Sequence, residues 1–280
     1  MLNTLNIHRL ETGNIGDLVA APVLYFEELA KVERLDILGN AVSDQKQVDT
    51  WYDKVRQAEA IIVGGGGLLA MEKFEGTLKE IIESGKKVIV WGAGNNKGKI
   101  DSLLGMRVAT PPEIAKCTLA GTRDAGAANW VPCASAMSPL FSKQYEITRD
   151  VVFFANKAMA GNSSYIPRDF PKSAIMGNMN HTMDEIVAFL GSANTVVTSS
   201  YHGAYWATLL GRKVVGIPTS SKFYSLHHPV PLSHPADWQR FMKLARSYPD
   251  ALEECRAANR TFFTKVMDEL TTSVKKRSLN

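Results

Sequence analysis

The stretch Val196-Val197-Thr198-Ser199-Ser200-Tyr201-His202-Gly203-Ala204-Tyr205-Trp206-Ala207-Thr208-Leu209-Leu210-Gly211 sets the end of an apolar strand directly against the start of an apolar helix. Val196 and Val197 carry the strand, and the unbroken run over 204–210, stopped by Gly211, carries the helix. The first turn of a helix has free backbone N–H groups and the positive end of the peptide dipole, so a histidine here stands where an anion is welcome. A buried helix whose histidine bonds a loop carbonyl would read the same way locally. The rest of the chain decides between the two.

Outward from that junction, short apolar runs alternate with helical patterns. Strands are expected at 5–9, 35–38, 60–63, 87–91 and 118–122, and Phe74, Leu78, Ile81 and Ile82 fall at helical spacing before Gly85. After a polar connection over 138–149, a second series begins, with strands at 151–154, 174–176, 195–198 and 214–217. Thr182 and Glu185 form a capping box ahead of Ile186, Val187 and Leu190. Strand and helix in alternation mean a parallel sheet covered on both faces. The expected fold is therefore α/β with two doubly wound, Rossmann-like domains, 1–145 and 146–280. A last helix, with Pro249 at its first position, carries Leu252, Cys255, Asn259, Phe262, Phe263, Val266 and Leu270 on one stripe. Ligands of such sheets bind outside the carboxyl ends of the strands, which places the site in the gap between the domains.

The bulk numbers remove several classes. A chain of 280 residues with 45% hydrophobic and 21% charged residues can build a sizeable core, and a net charge of +4 is too slight to imply nucleic acid. The charge is compatible with a phosphorylated substrate or with peripheral association at an anionic membrane face, although Lys275, Lys276 and Arg277 read as a solvated tail. Cys117, Cys133 and Cys255 are too few and too scattered for a disulfide framework or a zinc site, and a reducing, cytoplasmic setting is expected. No signal-peptide pattern and no apolar run near ~18 residues is found.

Several loops could carry chemistry. Thr12-Gly13-Asn14-Ile15-Gly16-Asp17 follows the first strand and opens a helix that Asp17 could cap. Gly64-Gly65-Gly66-Gly67 ends the third strand, where residues without side chains leave amides bare for an anion. Neither this run nor Gly92-Ala93-Gly94 meets the dinucleotide fingerprint, so no nicotinamide cofactor is expected. Arg123, just past a strand, can grip a carboxylate or phosphate, and Lys222 supplies a second cation. His227, His228 and His234 lie among Pro229, Pro231 and Pro235 with no carboxylate pair or cysteine nearby, so no metal is expected. The five tryptophans read as core or rim, with one available to stack on a sugar.

In order and spacing, three of these pieces resemble the polysaccharide pyruvyl transferase family: Gly13-Asn14-Ile15-Gly16-Asp17, the glycine-rich strand end 61–67, and Thr198-Ser199-Ser200-Tyr201-His202-Gly203. Arg123-Asp124 and Val131-Pro132-Cys133 are similar to its central segment, so the likeness spans roughly 9–223. It implies a glycosyltransferase-B-like architecture and the transfer of a pyruvyl group from phosphoenolpyruvate to a sugar of a cell-surface polysaccharide or its lipid-linked precursor. Phosphoenolpyruvate is then a donor substrate, and no cofactor is needed. Under this reading His202 is the acid/base group and Asp17 activates an acceptor hydroxyl. Arg123, Lys222, Asn14, Gly16, Gly65, Gly66, Ser199, Ser200, Tyr201 and Gly203 bind substrate. Many members carry arginine where this chain has Ser200, which leaves the donor anion to Arg123, Lys222 or another cation. The alternative on the same architecture is a nucleotide-sugar-dependent glycosyltransferase.

Overall fold

The computed structural model describes residues 1–10, 12–97, 109–156 and 166–277. The elements run β1 (Thr4–His8), α1 (Ile15–Leu18), β2 (Glu33–Asp36), α2 (Gln45–Gln57), β3 (Ala60–Gly64), α3 (Glu72–Ile82), β4 (Lys87–Ala93), β5 (Leu119–Thr122), β6 (Arg149–Ala155), β7 (Ile175–Gly177), α4 (Met183–Gly191), β8 (Ala193–Thr198), α5 (Tyr201–Leu209), β9 (Lys213–Gly216), α6 (Trp238–Met242) and α7 (Ala251–Arg277). All nine expected strands are present, with ends shifted by one or two residues. The 13-residue helix α2 had no reading in the sequence, because only Trp51 and Val55 on it are buried and its remaining surface is polar.

The strands form two parallel sheets, ordered β2-β1-β3-β4-β5 and β7-β6-β8-β9. Each order reverses direction once, between β1 and β3 in the first and between β6 and β8 in the second. These are the points where doubly wound sheets open a crevice at their carboxyl ends. The glycine loops after β1 and β3 lie at the first of them, and the Ser199–His202 turn after β8 lies at the second. β1 and β3 are buried along their whole length, as strands covered on both faces must be.

The two carboxyl ends meet. Asn178, just past β7, donates from its side chain to the Asn14 side chain at 3.0 Å, and its carbonyl accepts from Ile15 N–H. Beyond β4 and β9, Lys97 N–H donates to Ser221 Oγ at 2.9 Å, and Ser225 Oγ donates to Asp124 Oδ1 at 3.1 Å.

Helix α7 ties the two sheets together. It starts at Ala251, two residues after the expected Pro249, because the Ala251 amide still closes a turn on the Tyr248 carbonyl. Cys255 joins the core around α5, whereas Phe262, Val266 and Leu270 pack with Trp91 and Ile89 of the first sheet. Asn259, buried between, accepts from Trp91 Nε1 at 2.9 Å. Helix α5 is buried on every face, which explains an apolar run with no polar side. All three cysteines are free, and among the described residues no helix is long and apolar enough to cross a membrane.

Candidate functional site

His202 stands on the first turn of α5 with its ring against the loop of the other sheet. A β-carbon placed on Gly16 would lie 2.1 Å from His202 Nδ1, so only glycine lets the β1 loop come this close. On the other side His202 Nε2 lies 3.6 Å from Cys133 Sγ, which also accepts from Ser135 Oγ at 3.2 Å. The imidazole therefore sits buried at the junction of the two sheets, with the Tyr201 and Trp206 rings 5.5 and 5.1 Å from it between centroids. Burial pushes its pKa well below the usual histidine value, and the charges of Arg123 and Lys222 push the same way.

Arg123 follows β5 and is 2% exposed, yet its Nε and Nη1 have no hydrogen-bond partner. Its guanidinium lies over the Tyr201 ring, 3.8 Å from the centroid, which orients the group without satisfying its N–H donors. Lys222 is half-buried; desolvation, then the Arg123 charge, lowers it to about 8, with Asp17 opposing. The Asp17 carboxyl is raised by burial, against Lys222 and Arg123. His202, Arg123, Lys222 and Asp17 thus form one electrostatically coupled cluster drawn from four segments and both sheets. Asp124 is not a free partner for the arginine, since it accepts from Asn95 N–H at 2.8 Å and from Ser225.

Several expected binders have other work. Asn14, not Asp17, caps α1: its Oδ1 accepts from Gly16 N–H at 3.2 Å while its amide donates to Asp17 Oδ2 at 2.9 Å. The Gly65 amide is not bare, because the β3–β4 ladder runs on and uses it to bond the Trp91 carbonyl at 2.9 Å. Gly65 has φ +76°, and a side chain there would strike the Ala20 carbonyl. Gly66 lies beside Asp17, with a β-carbon position 3.5 Å from Oδ1. Ser199 Oγ accepts from Asn156 N–H at 3.0 Å, and Ser200 Oγ caps α5 by accepting from Gly203 N–H. Gly203 itself packs against Thr198 and Phe154. These residues shape the turn that presents His202.

Three participants escaped the sequence reading. Cys133 reads in the sequence as a scattered thiol and as part of Val131-Pro132-Cys133, and nothing local places it beside His202. His8, fully buried at the end of β1, approaches the Asp17 carbonyl through Nδ1 at 3.3 Å. Burial lowers it to about 4. Trp130, on the wall of the cavity beside Arg123, stacks on His227 at 3.8 Å with rings 20° apart. A cavity of about 10 Å³, the size of a single water, lies between Arg123, Trp130, Tyr201, His227 and His228.

No protein-family model matches the chain, and no curated protein matches it in sequence. Among solved structures, an uncharacterised protein from Klebsiella pneumoniae is similar over 77% of this chain and 82% of its own, at 18% identity and a TM-score of 0.43. A protein assigned as a UDP-N-acetylglucosamine 2-epimerase from Listeria monocytogenes is similar over 91% and 89%, at 8% identity and a TM-score of 0.45. The wall teichoic acid polymerase TagF is similar over 99% and 90%, at 9% identity and a TM-score of 0.43. Scores this low carry no argument about chemistry. The architecture, two Rossmann-like parallel sheets meeting at their carboxyl ends, rests on the strand order itself.

Proposed function

We propose that this chain is a transferase that moves the pyruvyl group of phosphoenolpyruvate onto two hydroxyls of a sugar, forming a ketal on a cell-surface polysaccharide or its lipid-linked precursor. The observation that carries the reading is the Arg123 guanidinium, buried with two nitrogens unpartnered beside Lys222 and His202. Buried N–H donors left without hydrogen-bond partners are costly, and a small, multiply charged anion that accepts from them relieves that cost. The motif resemblance supplies the identity of the anion.

The chemistry follows from the donor. Protonation of its methylene carbon develops positive charge at the carbon bearing phosphate, one sugar hydroxyl adds there, phosphate departs, and the second hydroxyl closes the ketal. Of the two hydroxyl protons, one is balanced by the new methyl group and the other leaves with phosphate. His202, neutral in the empty site, takes up a proton from solvent as the donor binds, delivers it to the methylene, and then accepts the proton of the first adding hydroxyl. That uptake is favoured because the donor's charge offsets Arg123 and Lys222, the two charges that hold the imidazole neutral beforehand. The raised Asp17 carboxyl is a stronger base than an exposed aspartate and is the second group for an acceptor hydroxyl.

The test is phosphate release from phosphoenolpyruvate across free and lipid-linked hexosides, with the product mass read for an added pyruvyl group. Phosphate released together with that mass supports the reading. Thermal stabilisation by a nucleoside diphosphate, with none by phosphoenolpyruvate, overturns it in favour of a nucleotide-sugar glycosyltransferase.

A further inference from the structure

Away from the cluster around His202, the fold brings a carboxylate to the histidines for which the sequence led to no metal being expected. His227 and His228 stand in the loop after β9, and Glu254 lies on the first turn of α7. One ligand atom from each of the three lies within 4.8 Å of the others, and His228 Nε2 is 2.8 Å from Glu254 Oε2. The carboxylate missing from the histidine segment thus arrives from 26 residues downstream.

Both rings are held in place. His227 lies flat on Trp130, and His228 meets the Tyr248 ring at 62° with centroids 5.1 Å apart. The Tyr248 hydroxyl in turn donates to the Pro229 carbonyl, so the loop between the ligands and α7 is clamped from a second point. A lone surface ion pair would need only one imidazole. Here a second ring, oriented by a tryptophan, turns the same way.

We propose that His227, His228 and Glu254 bind a divalent transition-metal ion of the zinc type, with the remaining coordination position held by water. Two imidazoles and a carboxylate suit zinc, cobalt or nickel better than calcium or magnesium, which take oxygen ligands. Tetrahedral coordination with bonds of ~2.0–2.1 Å sets ligand atoms ~3.3 Å apart, so His228 and Glu254 need to separate by about half an ångström, and a pair at the 4.8 Å limit of the group needs to close by about one and a half ångströms through side-chain rotation. His227 and Glu254 are exposed, which gives the ion a path in and leaves the water position open. His227 and His228 also line the cavity that holds Arg123 and Tyr201. An ion bound there ties the start of α7 to the wall of that cavity. This inference stands whether or not the donor is phosphoenolpyruvate.

Calorimetric titration of zinc into untagged, chelator-stripped protein tests it, with cobalt absorption as a second probe of coordination. One zinc per chain is expected. His228→Gln and Glu254→Gln each weaken binding by at least about tenfold, since losing a direct ligand costs no less than losing an outer partner. His234→Gln leaves binding unchanged, because His234 is outside the constellation. Circular dichroism confirms that these surface variants fold. A wild-type chain that takes up no zinc, or zinc binding that Glu254→Gln leaves intact or His234→Gln abolishes, overturns the assignment.

Discussion

Gly16 and His202, 186 positions apart in the chain, are in such close contact that a methyl group on the glycine would lie 2.1 Å from the imidazole Nδ1. The contact joins the first loop of one sheet to the helix that follows the third strand of the other. Gly16→Ala must therefore displace the ring or part the sheets. We expect a stability loss of about 1–3 kcal/mol, the usual cost of overpacking, and a fall in phosphate release approaching that of His202→Ala. For His202→Ala the expected loss is ~100-fold to 10,000-fold, the range of a positioned proton donor. Release from His202→Ala at the wild-type rate removes the histidine from the mechanism.

Arg123 keeps Nε and Nη1 without hydrogen-bond partners in the empty protein, and a bound anion would accept from them. Wild type should melt higher with phosphoenolpyruvate, by about 2.7 kcal/mol of added stability at one hundred times Kd. Arg123→Met should lose that response, and without ligand it should also be less stable than wild type, because the buried carboxyls of Asp17 and Asp124 lose the charge that offsets their burial. Arg123→Lys should not restore it, since an ammonium cannot reproduce the fork of donors over Tyr201. A full ligand response in Arg123→Met counts against the anion site.

Lys222 titrates near the working range. With its pKa lowered to about 8, the ammonium is present below that pH and lost above it. kcat/KM, which reports the free enzyme, should therefore fall as pH rises through about 8. In Lys222→Arg the charge persists and the fall should move to higher pH. An alkaline limb that stays in place in this variant assigns the titration to another group.

His8 gives a stability signature on the acid side. Its folded pKa, about 4, lies below the unfolded value of 6.5. Its contribution is full above 6.5 and is lost as pH falls toward 4, where the unfolded chain binds the extra proton. The loss amounts to ~3 kcal/mol from the size of the shift. The raised carboxyls of Asp17 and Asp124 tilt the opposite way, so the His8 share is read by difference. Denaturant unfolding at pH 4 and pH 7 should show a shallower acid loss for His8→Gln than for wild type. Equal losses refute the assignment.

The sequence by itself determined the nine strands, the capping box on α4 and the buried stripe of α7, because burial leaves its period in neighbouring residues whatever lies across the interface. It also marked the loops that carry Asp17, Arg123, His202 and Lys222. Which loop groups are free was decided only by folding. The Gly65 amide is taken up by one more rung of the β3–β4 ladder, and the Ser200 hydroxyl by the cap of α5, whereas Arg123 keeps unpartnered donors. The tertiary structure alone also set Cys133 beside His202, Asn259 against Trp91, and Glu254 beside His227 and His228. Each of these pairs joins segments far apart in the chain, and a contact of that kind depends on how two sheets and a helix dock. No local periodicity records it.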